Sequence, residues 1–234
     1  ACYAGMEREA LLRTAECLRA GGVGWLGLGM RLGELCMDED FYPAIFAQLA
    51  ALAQTLYEKT DAAADAIDLG GGFGVSYRPG FSGPELDACE QALPEALRGL
   101  SLQMSPGRFL AAACGTLVTR VRAVKPGPAP LAVLDVDPAQ CPRLVKSGAY
   151  HPVYVPYAAG RRTLVQLLTV GTQDGPVMRR LLPELRPGDL VLIGMLGADG
   201  RSLASRYGGA EPCLEHLIRP DGEIVPIKHT EYQP

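Results

Sequence analysis

The stretch Asp68-Leu69-Gly70-Gly71-Gly72-Phe73-Gly74 decides how this chain is read. Residues 66–69 form a short run, apolar apart from Asp68, and glycine then fills four of the next five positions. That pattern predicts a strand ending in a glycine loop. Backbone approaches a phosphate closely only where no Cβ intervenes, and consecutive amides can then form an anion nest. A loop straight after a parallel strand suits this role, because ligands gather at the carboxyl ends of such strands. Position 75 is valine, so the run is not a dinucleotide fingerprint, and no Gly-Lys-Ser/Thr follows to make it a P-loop. A tight turn without a ligand is the alternative that this stretch alone leaves open.

Outward from the loop, residues 1–110 alternate. Leu11, Ala15 and Leu18 lie on one face of a helix predicted over 7–20, which Gly21-Gly22 stops. A buried strand is expected over 25–28. Asp38 offers an N-cap for a long amphipathic helix over 41–58, carried by Phe41, Ile45, Leu49, Leu52 and Leu56. A third helix is predicted over 84–97, with Pro84 near its first turn, and a strand over 100–104. Helix and strand in strict alternation imply parallel strands with right-handed crossovers. Beyond Arg108 the pattern changes to strands over 116–124, 131–136, 153–157, 163–170, 190–193 and 224–227. Turn signals such as Pro187-Gly188-Asp189 separate them. The expected fold is therefore an α/β domain over 1–110 followed by a mostly antiparallel β-domain over 111–234.

Composition narrows the function. The 234 residues carry a formal net charge of -4, with 48% hydrophobic and 21% charged residues. No basic stripe invites nucleic acid. No apolar run reaches the ~18 residues of a membrane span. The start lacks both a signal-peptide pattern and an initiator Met, so a trimmed chain or a piece of a longer one is expected. The seven cysteines stand far apart with no C-x-x-C, which fits scattered thiols in a reducing cytoplasm. His151, His216 and His229 show no metal spacing, so no metal is expected. No nucleophile–base motif is present, so no catalytic residue is assigned. None of Lys59, Lys125, Lys146 and Lys228 occupies a buried strand end, where a Schiff-base lysine would be expected. Two arginines remain as candidate anion clamps. Arg108 lies in Ser105-Pro106-Gly107-Arg108 after a strand, and Arg143 lies near Tyr150-His151 in a turn-rich stretch.

Set in order, these motifs resemble the pyridoxal-phosphate-dependent decarboxylases of the alanine-racemase-like barrel fold, the diaminopimelate decarboxylases above all. The carriers are 68–74, 105–108, Gly115 to Val121, Gly148-Ala149-Tyr150-His151-Pro152, 182–189, Gly197-Ala198-Asp199-Gly200 with Ser202 to Tyr207 and Gly208, and the ending 227–231. The resemblance implies the C-terminal part of a (β/α)8 barrel, with residues 1–110 as partial barrel, followed by a β-domain. It implies pyridoxal 5'-phosphate as cofactor and a small amino-acid substrate, meso-diaminopimelate decarboxylated to lysine. A homodimer, or pairing with a related decarboxylase chain, follows as well. It would place Gly70, Gly71, Gly72, Gly107 and Arg108 about the cofactor, and Arg108 and Arg143 at the substrate carboxylates. The resemblance covers only part of a member, without the strand that bears the Schiff-base lysine. The family's Gly-Leu-His becomes Gly27-Leu28-Gly29. Its glutamate before Pro-Gly-Arg becomes Ser105, which cannot hold the cofactor's ring nitrogen protonated. Its Cys-Glu pair has no counterpart near Thr172-Gln173-Asp174. The tyrosine of its Gly-Ala-Tyr becomes Asp199, and a substrate tyrosine becomes Ser147. A fragment or impaired decarboxylase is thus expected, with a non-catalytic paralogue acting as a binding or regulatory partner as the alternative.

Overall fold

A computed structural model of the chain describes residues 5–31, 33–146, 149–171 and 175–227. Leu32, Ser147, Gly148, the segment 172–174, and positions 1–4 and 228–234 lie outside the described residues. The chain divides into two compact units, Ala1–Ala112 and Ala113–Pro234.

In the first unit, helix α1 spans Arg8–Ala20 and closes at Gly21 and Gly22, whose amides donate to the Cys17 and Arg19 carbonyls. Strand β1 (Gly27–Gly29) follows, two residues later than its apolar run begins. Helix α2 (Phe41–Thr60) turns Tyr42, Phe46, Leu49 and Leu56 inward, a spacing of three, four and seven that keeps one face buried. Asp38 does not cap it. Its carboxylate accepts from the Asp40 amide at 3.1 Å and shapes the turn before the helix, while the N-cap, Asp40, makes no side-chain capping bond. Strand β2 is Ala66–Asp68. The third predicted helix is two short ones, α3 (Leu86–Gln91) and α4 (Glu95–Arg98). Pro94 stands between them, lacking an amide donor and crowding the turn before it. Strand β3 (Ser101–Gln103) and helix α5 (Gly107–Ala111) complete the unit. The strands run parallel in the order β1-β2-β3, with Leu28 beside Ile67 and Ile67 beside Leu102. Leu49, Leu56, Ile67 and Leu97 are fully buried in the core that covers this sheet.

The second unit contains β4 (Leu117–Lys125), β5 (Leu131–Leu134), α6 (Pro142–Lys146), β6 (Val153–Tyr154), β7 (Thr163–Thr169), β8 (Met178–Leu182) and β9 (Leu190–Ile193). Six strands form one sheet in the order β6-β9-β4-β5-β7-β8, and only the β5–β7 pair is parallel. Alternation explains β7: Val165, Leu167 and Thr169 point inward, onto a core with Leu134 and Ile193. A separate ribbon pairs β10 (His216–Ile218) with β11 (Ile224–Pro226) across the Asp221-Gly222 turn. The sequence pattern does not mark β8 or β10. In β8, Arg179 and Arg180 interrupt the apolar alternation. No helix among the described residues is long and apolar enough to cross a membrane. The architecture is thus a partial parallel α/β barrel followed by a mostly antiparallel β-domain.

Candidate functional site

The glycine loop leaves β2 at its carboxyl end, and backbone contacts fix its path. Asp68 folds back so that its carboxylate accepts the Gly70 amide at 2.8 Å, and the Ser105 amide donates to the Gly70 carbonyl at 2.8 Å. Gly72 has φ +102 and accepts the Cys36 amide at 2.8 Å. A Cβ on Gly72 would overlap the Gly33 carbonyl, and one on Gly70 (φ +68) would overlap that of Met30. The glycines are therefore demanded by the close approach of the segment after β1, with or without a ligand. Tyr42, buried on α2, is the second brace. Its hydroxyl donates to the Cys36 carbonyl at 2.8 Å and accepts the Gly74 amide at 3.3 Å. Burial pushes its pKa up to about 12, so it stays a neutral donor.

These constraints leave a pocket of about 430 Å³ lined by Gly29, Met30, Arg31, Gly33, Asp68, Gly70, Gly71, Gly72 and Arg108. It lies at the carboxyl ends of the parallel strands, where β1 ends at Gly29 and β2 at Asp68. Among the described residues the amides of Gly71 and Gly72 have no hydrogen-bond partner. Arg108, on α5, brings its guanidinium to the same pocket and lies 3.9 Å from Glu34. Glu34 also pairs with Arg31 at 3.0 Å, so one exposed carboxylate serves both arginines. Such exposed pairs are weak, about 0–1 kcal/mol each, and yield to a better anion. Gly107 is not part of the lining; its amide donates to the Ser105 carbonyl. Arg31, Gly33 and Tyr42 are the members that the sequence does not announce. They come from the segment after β1 and from α2, and only the fold carries them to the loop.

Arg143 belongs to the second unit. It is buried on α6, and its Nη1 donates to Asp199 Oδ2 at 3.2 Å. Around it, His151 is fully buried, with its Nδ1 3.0 Å from the Gly194 carbonyl, which makes Nδ1 the protonated nitrogen. Arg180 reaches in from β8, donates twice to the His151 carbonyl at 3.1 and 2.9 Å, and covers the Tyr150 ring at 4.1 Å. His151 is thus built into the core near Arg143, with Tyr150 half-buried beneath Arg180. Burial pushes the His151 pKa below its ordinary value; the Gly194 carbonyl opposes this and the charges of Arg143 and Arg180 add to it. The unfolded chain takes that proton more readily. The stability from the neutral ring is complete above about pH 6.5 and is lost as pH falls below it. Urea melts at about pH 7.5 and about pH 5.5 should show this loss, and His151→Asn should show less of it. Equal pH dependence in the two proteins would refute the assignment.

Six cysteines among the described residues are free thiols, with Cys89 and Cys141 buried and Cys17 and Cys114 exposed. No group of three or more His, Cys, Asp or Glu side chains among the described residues is placed to hold a metal ion.

No protein-family model matches the chain. Individual relatives do. It is 28% identical over 207 residues to the diaminopimelate decarboxylase of Deinococcus radiodurans, covering 87% of this chain and 52% of that one. It is 30% identical over 191 residues to that of Escherichia coli K12, covering 71% and 45%. Among solved structures, a variant of Helicobacter pylori diaminopimelate decarboxylase complexed with L-lysine superposes with a TM-score of 0.81 at 25% identity, covering 94% of this chain and 55% of that one. A lysine/ornithine decarboxylase from Vibrio vulnificus shares the fold, with a TM-score of 0.78 at 22% identity and coverage of 91% and 60%. The chain spans about half the length of the relatives it matches. Sequence similarity across most of its residues, carried on the same fold, makes this chain a homologue of the diaminopimelate decarboxylases and gives it the fold of that pyridoxal-phosphate-dependent group.

Proposed function

We propose that this chain is a divergent member that keeps the cofactor-phosphate site of the family and has lost groups that serve the cofactor ring. The observation that carries this reading is that one pocket at the strand ends is lined by Arg108 and by Gly71 and Gly72, whose amides have no hydrogen-bond partner among the described residues. Oriented amides and a guanidinium are the donors that a phosphate dianion requires. A pocket of about 430 Å³ is also of the size that small ligands fill. Gly71 and Gly72 would hold the phosphate from the backbone, with Arg108 closing on it and Glu34 displaced. Gly70 would shape the loop through its own bonds to Asp68 and Ser105. Gly107 would act only by opening α5.

The ring end fits less well. Pyridoxal phosphate, when bound, supplies an electron sink for the carbanion that decarboxylation leaves. Ser105 stands where the family pattern has a carboxylate, and a hydroxyl cannot hold a positive ring nitrogen. Gly29 lines the pocket without an imidazole to stack. These two positions, with Asp199, support an impaired decarboxylase over a competent one. They equally favour a second reading, a non-catalytic paralogue that pairs with a related decarboxylase chain. Co-purification with an active decarboxylase, and a changed rate in the mixture, would distinguish it. Either reading carries the family's expectations of a small amino-acid ligand, a homodimer or a related partner, and a cytoplasmic setting.

Inorganic phosphate tests the site directly. At a hundred times its Kd a ligand stabilises the native state by about 2.7 kcal/mol, a shift of several degrees in Tm. Phosphate should raise the Tm of this chain. Arg108→Gln should weaken the effect about 10–100-fold, the cost of one charged hydrogen bond of ~1.5–3 kcal/mol. No rise in the parent chain, or an equal rise in the variant, would count against the site.

A further inference from the structure

We propose that Asp199 is a resident carboxylate for Arg143: from within the chain it takes the place a ligand carboxylate would occupy, and so excludes carboxylate ligands from this site. The inference rests on the family reading of Arg143 as a substrate-carboxylate position, and it goes beyond that reading by stating which ligands this chain refuses.

The pairing is aimed by the backbone. Asp199 sits at φ +62, a left-handed conformation that aspartate and asparagine tolerate better than most residues. It lies on the turn after β9, where the Leu196 amide donates to the Gly115 carbonyl at 2.9 Å. A Cβ on the neighbouring Gly200 would overlap the Leu196 carbonyl, so the turn is closed tightly behind Asp199. Arg143 is held from the other side, its side chain only 8% exposed on α6. The Asp199 side chain is 46% exposed. Its Oδ2 meets the guanidinium, and the side chain as a whole stays nearly half exposed. An approaching ligand therefore meets a negative edge before it meets Arg143. Arg180, the other guanidinium of the cluster, is committed to the His151 carbonyl and the Tyr150 ring. A second carboxylate would have to displace Asp199 or lie against it, and like charges at that distance repel. The ligand end that suits this pair is neutral or cationic.

Glutarate, a plain dicarboxylate, is the probe, and the full chain is the sample. Asp199→Asn removes the charge, keeps the shape and suits the left-handed turn. The parent chain should show no saturation with millimolar glutarate by calorimetry. Asp199→Asn should bind it at least about tenfold more tightly. The pair Arg143→Gln with Asp199→Asn, which replaces both charges by amides, should not gain binding. A lower Tm is expected for Asp199→Asn, since the buried guanidinium loses its charge-assisted bond to Asp199. Glutarate should then raise that Tm while leaving the parent unmoved. Equal binding by parent and variant, no gain and no Tm rise in the variant, or a gain retained by the double variant would each overturn the proposal. The readout does not involve the glycine loop, so phosphate binding and this inference can fail separately.

Discussion

Gly72→Ala should cost about 3 kcal/mol or more, measured by urea unfolding without any ligand, and should do so in the first unit. Two effects add. At φ +102 a Cβ is strained by about 1–3 kcal/mol. The same Cβ would overlap the Gly33 carbonyl and carbon, which are backbone and cannot rotate away. Making room means pushing the segment after β1 off the loop, at the ~1–3 kcal/mol of an overpacked site. That movement also strains the Cys36 amide bond to Gly72. Domains have only about 5–15 kcal/mol in total, so the loss is large. Gly99→Ala is the matched control. Its φ of -86 suits alanine and nothing lies near the added methyl, so it should be neutral or slightly stabilising. A Gly72→Ala chain as stable as Gly99→Ala would contradict the described loop.

Gly115→Ala should be comparably damaging in the second unit, for a different reason. Its φ is not positive, so strain in the residue itself is not the cause. An added Cβ would instead overlap the Gly197 amide and Cα and the Leu196 carbonyl carbon. Gly115 precedes β4, and the Leu196 turn follows β9. The two strands meet here, with Leu117 beside Ile193. A methyl at this crossing forces the strand ends apart and breaks the Leu196 bond to Gly115. The cost should reach the top of the ~1–3 kcal/mol range for overpacking, because backbone faces backbone. It should also loosen the turn that aims Asp199 at Arg143. Gly127→Ala, with open space around it, should leave stability within ~0.5 kcal/mol. Similar losses at Gly115 and Gly127 would overturn this account of the crossing.

Much of the fold is legible in the chain because local chemistry and tertiary structure agree. In α2 the helical period is right and Leu49 and Leu56 are buried as expected, but Tyr42 and Phe46 take the inward places where Phe41, Ile45 and Leu52 are only partly buried; β7 alternates as a half-buried strand should. The failures have local causes. Pro94 divides the third helix although the apolar pattern runs on through it. β8 hides because Arg180, on an inner position beside Val165, spends its charge on the His151 carbonyl and the Tyr150 ring. At the site, the glycine loop is legible because close backbone approach admits only glycine. Arg31 and Tyr42 are not, since nothing near them in sequence points to residues 70–74. The Arg143–Asp199 pair spans 56 positions and depends on a left-handed turn that no local motif announces.

On the proposed reading, the pocket of Gly71, Gly72 and Arg108 recognises the phosphate of the cofactor that the relatives use. Calorimetric titration of the chain with pyridoxal phosphate and with pyridoxal, which lacks only the phosphate, separates recognition of the phosphate from recognition of the ring. Pyridoxal phosphate should bind at least about tenfold more tightly, and Arg108→Gln should erase most of that preference. Equal affinity for the two compounds, or a preference that survives Arg108→Gln, would contradict the claim.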